Sequence, residues 1–182
     1  MHIKRHIDFI NENDDFKKSV TSMNKFGIDN PYGNWVVSVM IHYDKIDLYK
    51  FFTKEEALNK ILNIFNENTD ESLSTIEDLN QYSTLNGKGF SYDEDEILVI
   101  FDKVTNYTQF FFDISGSVGG SYVSTPKDNT ETNKDAKIYY AHYHDEPTGT
   151  DTVEFFFDEK SRQEVIDDRA LNHWKEKEIG VL

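Results

Sequence analysis

The sequence predicts an α+β fold: an antiparallel sheet of about five to six strands with helices packed on it, including a ββα unit and a C-terminal helix. Three observations carry this expectation. Strand-like runs rich in β-branched and aromatic residues come in pairs, a short turn joins each pair, and a helical stretch follows two of them. With 182 residues and fourteen Phe and ten Tyr to fill an interior, the chain is long enough for one self-sufficient domain spanning 1–182.

Along the chain, Ile7, Phe9, Ile10, Phe16, Val20 and Met23 fit one or two short helices before Gly27 and Pro31 interrupt the pattern. Residues 35–43 (WVVSVMIHY) and 46–52 read as a hairpin turning at Asp44-Lys45. Thr53 and Glu56 form a capping box ahead of a helix whose apolar stripe is Leu58, Ile61, Leu62 and Phe65. A second short helix over 74–82 carries Ile76, Leu79 and Tyr82, and Asn86-Gly87-Lys88-Gly89 breaks it. The apolar run 97–104 (ILVIFDKV) predicts a well-buried strand, followed after Asn106 by another over 108–114. Gly, Ser, Thr, Asn and Asp dominate 115–133, which reads as a mobile loop. Residues 137–144 and 152–157 then pair around Glu146-Pro147-Thr148-Gly149. From Asp158 to about Lys177 the pattern is helical, with Ser161 and Glu164 as a capping box and Gly180 past the end.

Charge is the most informative global property. The net charge is −15, yet residues 1–65 hold nine acids and nine Lys/Arg, so the neutral N-terminal part leaves the whole excess to 66–182. Residues 67–102 contain ten acids and one base, Lys88, and residues 141–168 nine acids against Lys160 and Arg162. Such fields repel nucleic acid and attract basic protein surfaces. The absence of cysteine removes disulfides, thiolate catalysis and thiolate metal sites. No run of eighteen apolar residues and no signal-peptide pattern occurs, so a cytoplasmic protein without a membrane segment is expected.

Catalytic motifs are missing. There is no G-x-S-x-G turn and no G-x-x-x-x-G-K-[ST] loop, and the glycine-rich run 115–120 lacks the phosphate-binding lysine. The chain therefore reads as a non-enzyme that needs no cofactor. Asp93-Glu94-Asp95-Glu96 lacks the ligand alternation and central glycine of a calcium loop, and reads as a patch for a basic partner. With it, the predicted contact residues are Tyr92, Tyr143, Asp145, Glu146, Asp151 and Glu154, the two tyrosines serving as anchors among the charges. His142 and His144 share a strand face and, with Asp145 as third ligand, are the one weak metal candidate and the basis of an alternative reading as a metal-dependent hydrolase. Acids interleaved with aromatics, as at Phe101-Asp102, Phe112-Asp113 and Phe157-Asp158, suggest strands that line up carboxylates roughly 6 to 7 Å apart on one surface, comparable to backbone phosphates.

In size, acidity, lack of cysteine and lack of catalytic motif, the chain resembles the small acidic inhibitors encoded by phages and mobile elements, of antirestriction or anti-CRISPR type. It is also similar to the acidic immunity proteins that neutralise nuclease toxins. The resemblance implies stoichiometric inhibition in a bacterial host cell: an acidic face, in the manner of a DNA mimic, occupies the positively charged groove of a nuclease or other nucleic-acid enzyme, with no direct nucleic-acid binding.

Overall fold

The structure is a computed structural model that describes residues 32–42, 45–92, 96–104, 108–113, 120–124, 133–171 and 174–182. The helices expected before Pro31, the turn at Asp44 and Asp93-Glu94-Asp95 lie outside these residues. The stretch from Tyr32 to Leu182 forms one compact unit. It is α+β and antiparallel, as the sequence predicts, but in place of one sheet of about five to six strands the described residues form two sheets of five strands each.

The first half of this unit builds one sheet. Strands β1 (Tyr32–Ile41) and β2 (Lys45–Thr53) form the expected hairpin, in register from Trp35 opposite Phe51 to Ile41 opposite Lys45. Helix α1 (Lys54–Asn68) follows at once. Its capping box is formed as predicted: Glu56 N donates to Thr53 Oγ1 at 3.1 Å, and Thr53 N donates to Glu56 Oε2 at 2.9 Å. Those backbone donors, acting against the cost of desolvation, hold the Glu56 carboxyl below the usual range. The second predicted helix is a 3-10 helix over Ile76–Tyr82, whose entry is fixed by Ser74 N and Thr75 N donating to Asp78 Oδ2. Strands β3 (Ser83–Thr84), β4 (Gly89–Tyr92) and β5 (Ile97–Lys103) complete a sheet of order β2-β1-β5-β4-β3.

The second half builds another sheet from β6 (Thr108–Asp113), β7 (Gly120–Ser124), β8 (Tyr139–Asp145), β9 (Thr150–Phe156) and β10 (Lys175–Val181), in the order β10-β8-β9-β6-β7. Helix α2 (Glu159–Leu171) follows the β8-β9 hairpin. The ββα unit thus occurs twice. In each, the last strand of the sheet lies antiparallel against the first strand of the hairpin, β5 on β1 and β10 on β8.

Three local expectations are corrected. The segment 115–133 contains β7, because Ser121-Tyr122-Val123-Ser124 pairs with β6 despite its loop-like flanks. The C-terminal helix stops at Leu171, and residues 175–181, polar enough to suit a helix, are drawn into a strand by pairing with β8. Asp158, not Ser161, caps α2: its Oδ1 accepts from Ser161 N at 2.7 Å.

Side-chain alternation explains why there are two sheets. One face of the first sheet (Val36, Met40, Leu98, Ile100) meets one face of the second (Phe110, Phe112, Tyr140, Val153, Phe155) in a single buried cluster. The opposite face of the first sheet, with Trp35, Val37, Val99 and Phe101, lies under the buried stripe of α1. The opposite face of the second, with Ala141, Tyr143 and Phe156, lies under Val165 and Ile166 of α2. The four layers α1, sheet, sheet, α2 leave neither central strand face to solvent, which is why β1 and β5 are buried almost end to end.

Glycine is required at Gly180 on β10, directly opposite Tyr140 on the neighbouring strand β8. A Cβ on Gly180 would fall 2.6 Å from the Tyr140 ring and hydroxyl. The Tyr140 hydroxyl donates to Glu178 Oε1 at 2.6 Å, and burial together with this carboxylate pushes its pKa up to about 12. Gly180→Ala is expected to destabilise the fold by about 1 to 3 kcal/mol through overpacking. Ultraviolet titration is expected to show one tyrosine ionising closer to 10 as the ring is displaced from Glu178; an unchanged titration with unchanged stability contradicts the close contact.

Candidate acidic partner-binding site

The acidic segment that begins at residue 67 is organised by the C-terminal end of α1. Glu67, Asn68, Thr69 and Asp70 bring the helix to its end, and they line a cleft of about 470 Å³ with His42, Tyr92 and Glu96. A helix end carries partial negative charge, so carboxylates there are unfavourable and cations favourable. The last turn of α1 has no basic residue, and Glu67 and Asp70 stand at the disfavoured end. A cation from outside would therefore relieve both the helix dipole and the carboxylate repulsion.

His42 holds the other wall. It ends β1 in the left-handed region, φ 53°, and its N–H donates to the Glu96 carbonyl at 2.7 Å. Its Nδ1 lies 3.4 Å from Glu96 Oε1, both side chains remaining largely exposed. Tyr92 adds an aromatic residue to this mostly polar lining. Tyr92 is half-buried, its ring centroid 6.3 Å from that of Phe65 and 5.7 Å from that of Tyr82, so its position is set by its own fold while it lines the cleft. A ring so fixed, in a cleft also lined by carboxylates, suits an arginine or lysine side chain.

Of the predicted contact residues, Tyr92 and Glu96 come together in this cleft. Asp93, Glu94 and Asp95 lie outside the described residues. Asp145 and Glu146 sit at the β8-β9 turn, where Asp145 accepts from Thr148 and the exposed Glu146 pairs with Lys175, which holds its carboxyl below the usual range. Tyr143, Asp151 and Glu154 are buried, at 1%, 3% and 1% exposure, and do not present a surface. Asp102, one of the acids expected in a surface array of carboxylates, is instead buried and paired with Lys88. The physical reason is the fourfold layering, which covers the strand faces that a single sheet would have left wet.

The weak metal candidate His142, His144 and Asp145 is not assembled. Adjacent residues on a strand point to opposite faces, so Asp145 turns away from His144. Asp151, opposite His144 in the β8-β9 register, takes both imidazoles on one oxygen: His142 Nε2 at 2.9 Å and His144 Nδ1 at 3.2 Å from Oδ1. Among the described residues, no group of three His, Asp or Glu side chains is placed to hold a metal ion.

Two buried charges were not anticipated. Lys54, the first residue of α1, is 1% exposed, with its Nζ 5.5 Å from the centroids of both Trp35 and Phe101. Burial first, and the nearby Lys88 second, pull its pKa down to about 7 against the opposing influence of Asp102. On the second sheet, Glu154 Oε1 accepts from Gln109 and from Arg169, each at 2.7 Å, and the Arg169 guanidinium lies over the Tyr143 and Trp174 rings. Among the described residues no helix is long and apolar enough to cross a membrane. Compared with protein-family models, with characterised proteins and with solved structures, the chain matches none.

Proposed function

We propose that the protein is an acidic inhibitor that binds the positively charged nucleic-acid-binding surface of a nuclease or other nucleic-acid enzyme. The observation that carries this reading is the cleft at the negative end of α1, where Glu67, Asp70 and Glu96 share the lining with Tyr92. An arginine or lysine of the partner enters that cleft, its charge met by the carboxylates and the helix carbonyls and its flat face by the ring. Asp93, Glu94 and Asp95 follow Tyr92 directly in sequence and add three acids to the segment that leads to Glu96. The net charge of −15 steers the encounter, and the desolvated aromatic contact slows dissociation. Occupying the phosphate-binding groove excludes nucleic acid, which is how the inhibitor acts.

The test begins with capture of basic proteins from host lysate at low salt, followed by binding measurements on the purified partner. Duplex DNA is expected to compete, and affinity to fall as salt rises. The triple reversal Glu67→Lys, Asp70→Lys, Glu96→Lys is expected to weaken binding at least a hundredfold, about 2.7 kcal/mol, while circular dichroism shows an intact fold. Binding that survives both the reversal and high salt contradicts the reading, as does the failure of any nucleic-acid enzyme to be captured.

A further inference from the structure

The four sheet edges are not equally protected. An open edge invites pairing with another chain unless it is short, charged or covered. Strand β3 has only two residues, β7 is a five-residue strand between Gly120 and Ser124, and β10 begins with alternating Lys and Glu. Strand β2 is different. It is nine residues long, KIDLYKFFT, and contains neither proline nor glycine. Only β1 pairs with it among the described residues. Beside it runs a cleft of about 510 Å³ lined by Leu48, Phe51, Phe52 and Leu182, with Lys50 and Lys134 on its walls.

Backbone phase follows from Glu56. On an antiparallel strand, alternate residues turn both N–H and C=O away from the neighbouring strand. Phe52 N–H goes to Glu56 Oε2 at 3.2 Å, so Phe52 is one of the outward residues and Leu48 and Lys50 share its phase. Neither makes a backbone hydrogen bond outside the hairpin among the described residues. Charge supplies the second selection. Lys50, whose Nζ donates to the Ala136 carbonyl, and Lys134 flank the apolar floor, and Lys60 lies over the Tyr49 ring, 4.6 Å from its centroid. The one carboxylate on the lining, Glu56, already accepts from Phe52 and Thr53. The edge is thus locally basic on a strongly acidic protein. Asp47, beside Leu48 on the same strand, is already paired with Lys45, which leaves Lys50 and Lys134 as the charges this cleft offers a ligand.

We propose that the outer edge of β2 is a docking site for an extended peptide strand that alternates apolar and acidic side chains. The strand pairs with Leu48 and Lys50 through main-chain hydrogen bonds. Its apolar side chains rest on Leu48, Phe52 and Leu182, and its carboxylates meet Lys50 and Lys134. This site is separate from the acidic cleft, which lies at the other end of α1, and it stands or falls independently of the inhibitor reading.

A fluorescein-labelled heptapeptide alternating glutamate with valine, titrated against the full chain, is expected to bind saturably. Hydrogen exchange at the Leu48 and Lys50 amides is expected to slow on binding. Leu48→Pro removes an outward donor without taking one from the β1 ladder, and is expected to weaken binding about tenfold, 1.4 kcal/mol. Lys134→Glu, an exposed turn residue whose change leaves the core intact, is expected to weaken it similarly and decides the matter if the proline variant does not fold. No saturable binding up to ~1 mM, which is the level of an interaction of only about 4 kcal/mol, overturns the proposal. So does affinity unchanged by Lys134→Glu, or tighter binding of the lysine-valine counterpart. Sedimentation showing a dimer that the peptide does not dissociate assigns the edge to a second copy of the chain and overturns it as well.

Discussion

Replacing Lys54 with methionine is expected to make the protein more stable, by about 2 to 4 kcal/mol at pH 7. Lys54 is 1% exposed and lies against the Trp35 and Phe101 rings, with Lys88 adding a second positive charge nearby. Burial and this like charge lower its pKa from 10.5 to about 7. At ~1.4 kcal/mol per pH unit, that difference corresponds to about 4 kcal/mol of lost stability near neutrality, and methionine keeps most of the stem's packing without the charge. The sign of the pH dependence follows. Between pH 7 and 10.5 the unfolded chain holds the proton that the folded chain has released, so stability rises with pH across that window. Below 7 both states are protonated and this contribution is constant. Chemical denaturation at pH 7 and pH 9.5 measures it: the wild type is expected to gain stability from this group on going up, and Lys54→Met to lose that gain. A variant less stable than wild type at both values shows instead that the ammonium's contacts outweigh its desolvation.

That residue also marks the limit of what could be read in the sequence. The capping box at Thr53 and Glu56, the apolar stripe of α1 and both ββα units are local patterns, and the structure has all of them. Lys54, one residue into that helix, carried no local sign of burial, because its surroundings come from Trp35 on β1 and Phe101 on β5. The division into two sheets was illegible for the same reason: which strands pair is decided across the chain. One signal was present. Residues 97–101, ILVIF, lack alternation and are buried on both faces, and such runs indicate a strand covered on both sides. Residues 151–156, DTVEFF, carry no such run, because Asp151, Thr152 and Glu154 interrupt it, so the burial of Asp151 and Glu154 had no local sign. The acidic cleft was half legible. Tyr92 and Glu96 were identified, but Glu67, Asp70 and His42 join them only through the end of α1 and the left-handed turn after β1.

Arg169→Met is expected to destabilise the protein by about 3 to 5 kcal/mol, the range for removing one partner of a buried ion pair. Glu154 is 1% exposed, so its carboxylate cannot recover hydration when the guanidinium is lost. Gln109 remains on Oε1, but an amide does not neutralise a charge. The variant also removes the cation that lies over the Tyr143 and Trp174 rings. Loss of packing and loss of charge pairing are separated by a second change. In the double variant Arg169→Met, Glu154→Gln, the buried charge is gone and the new amide can still bond Gln109, so about half of the stability, ~2 kcal/mol, is expected to return. Urea denaturation of the wild type, both single variants and the double variant closes the cycle. If the double variant is no more stable than Arg169→Met, the guanidinium acts through its stacking on the two rings, and the pair with Glu154 contributes little.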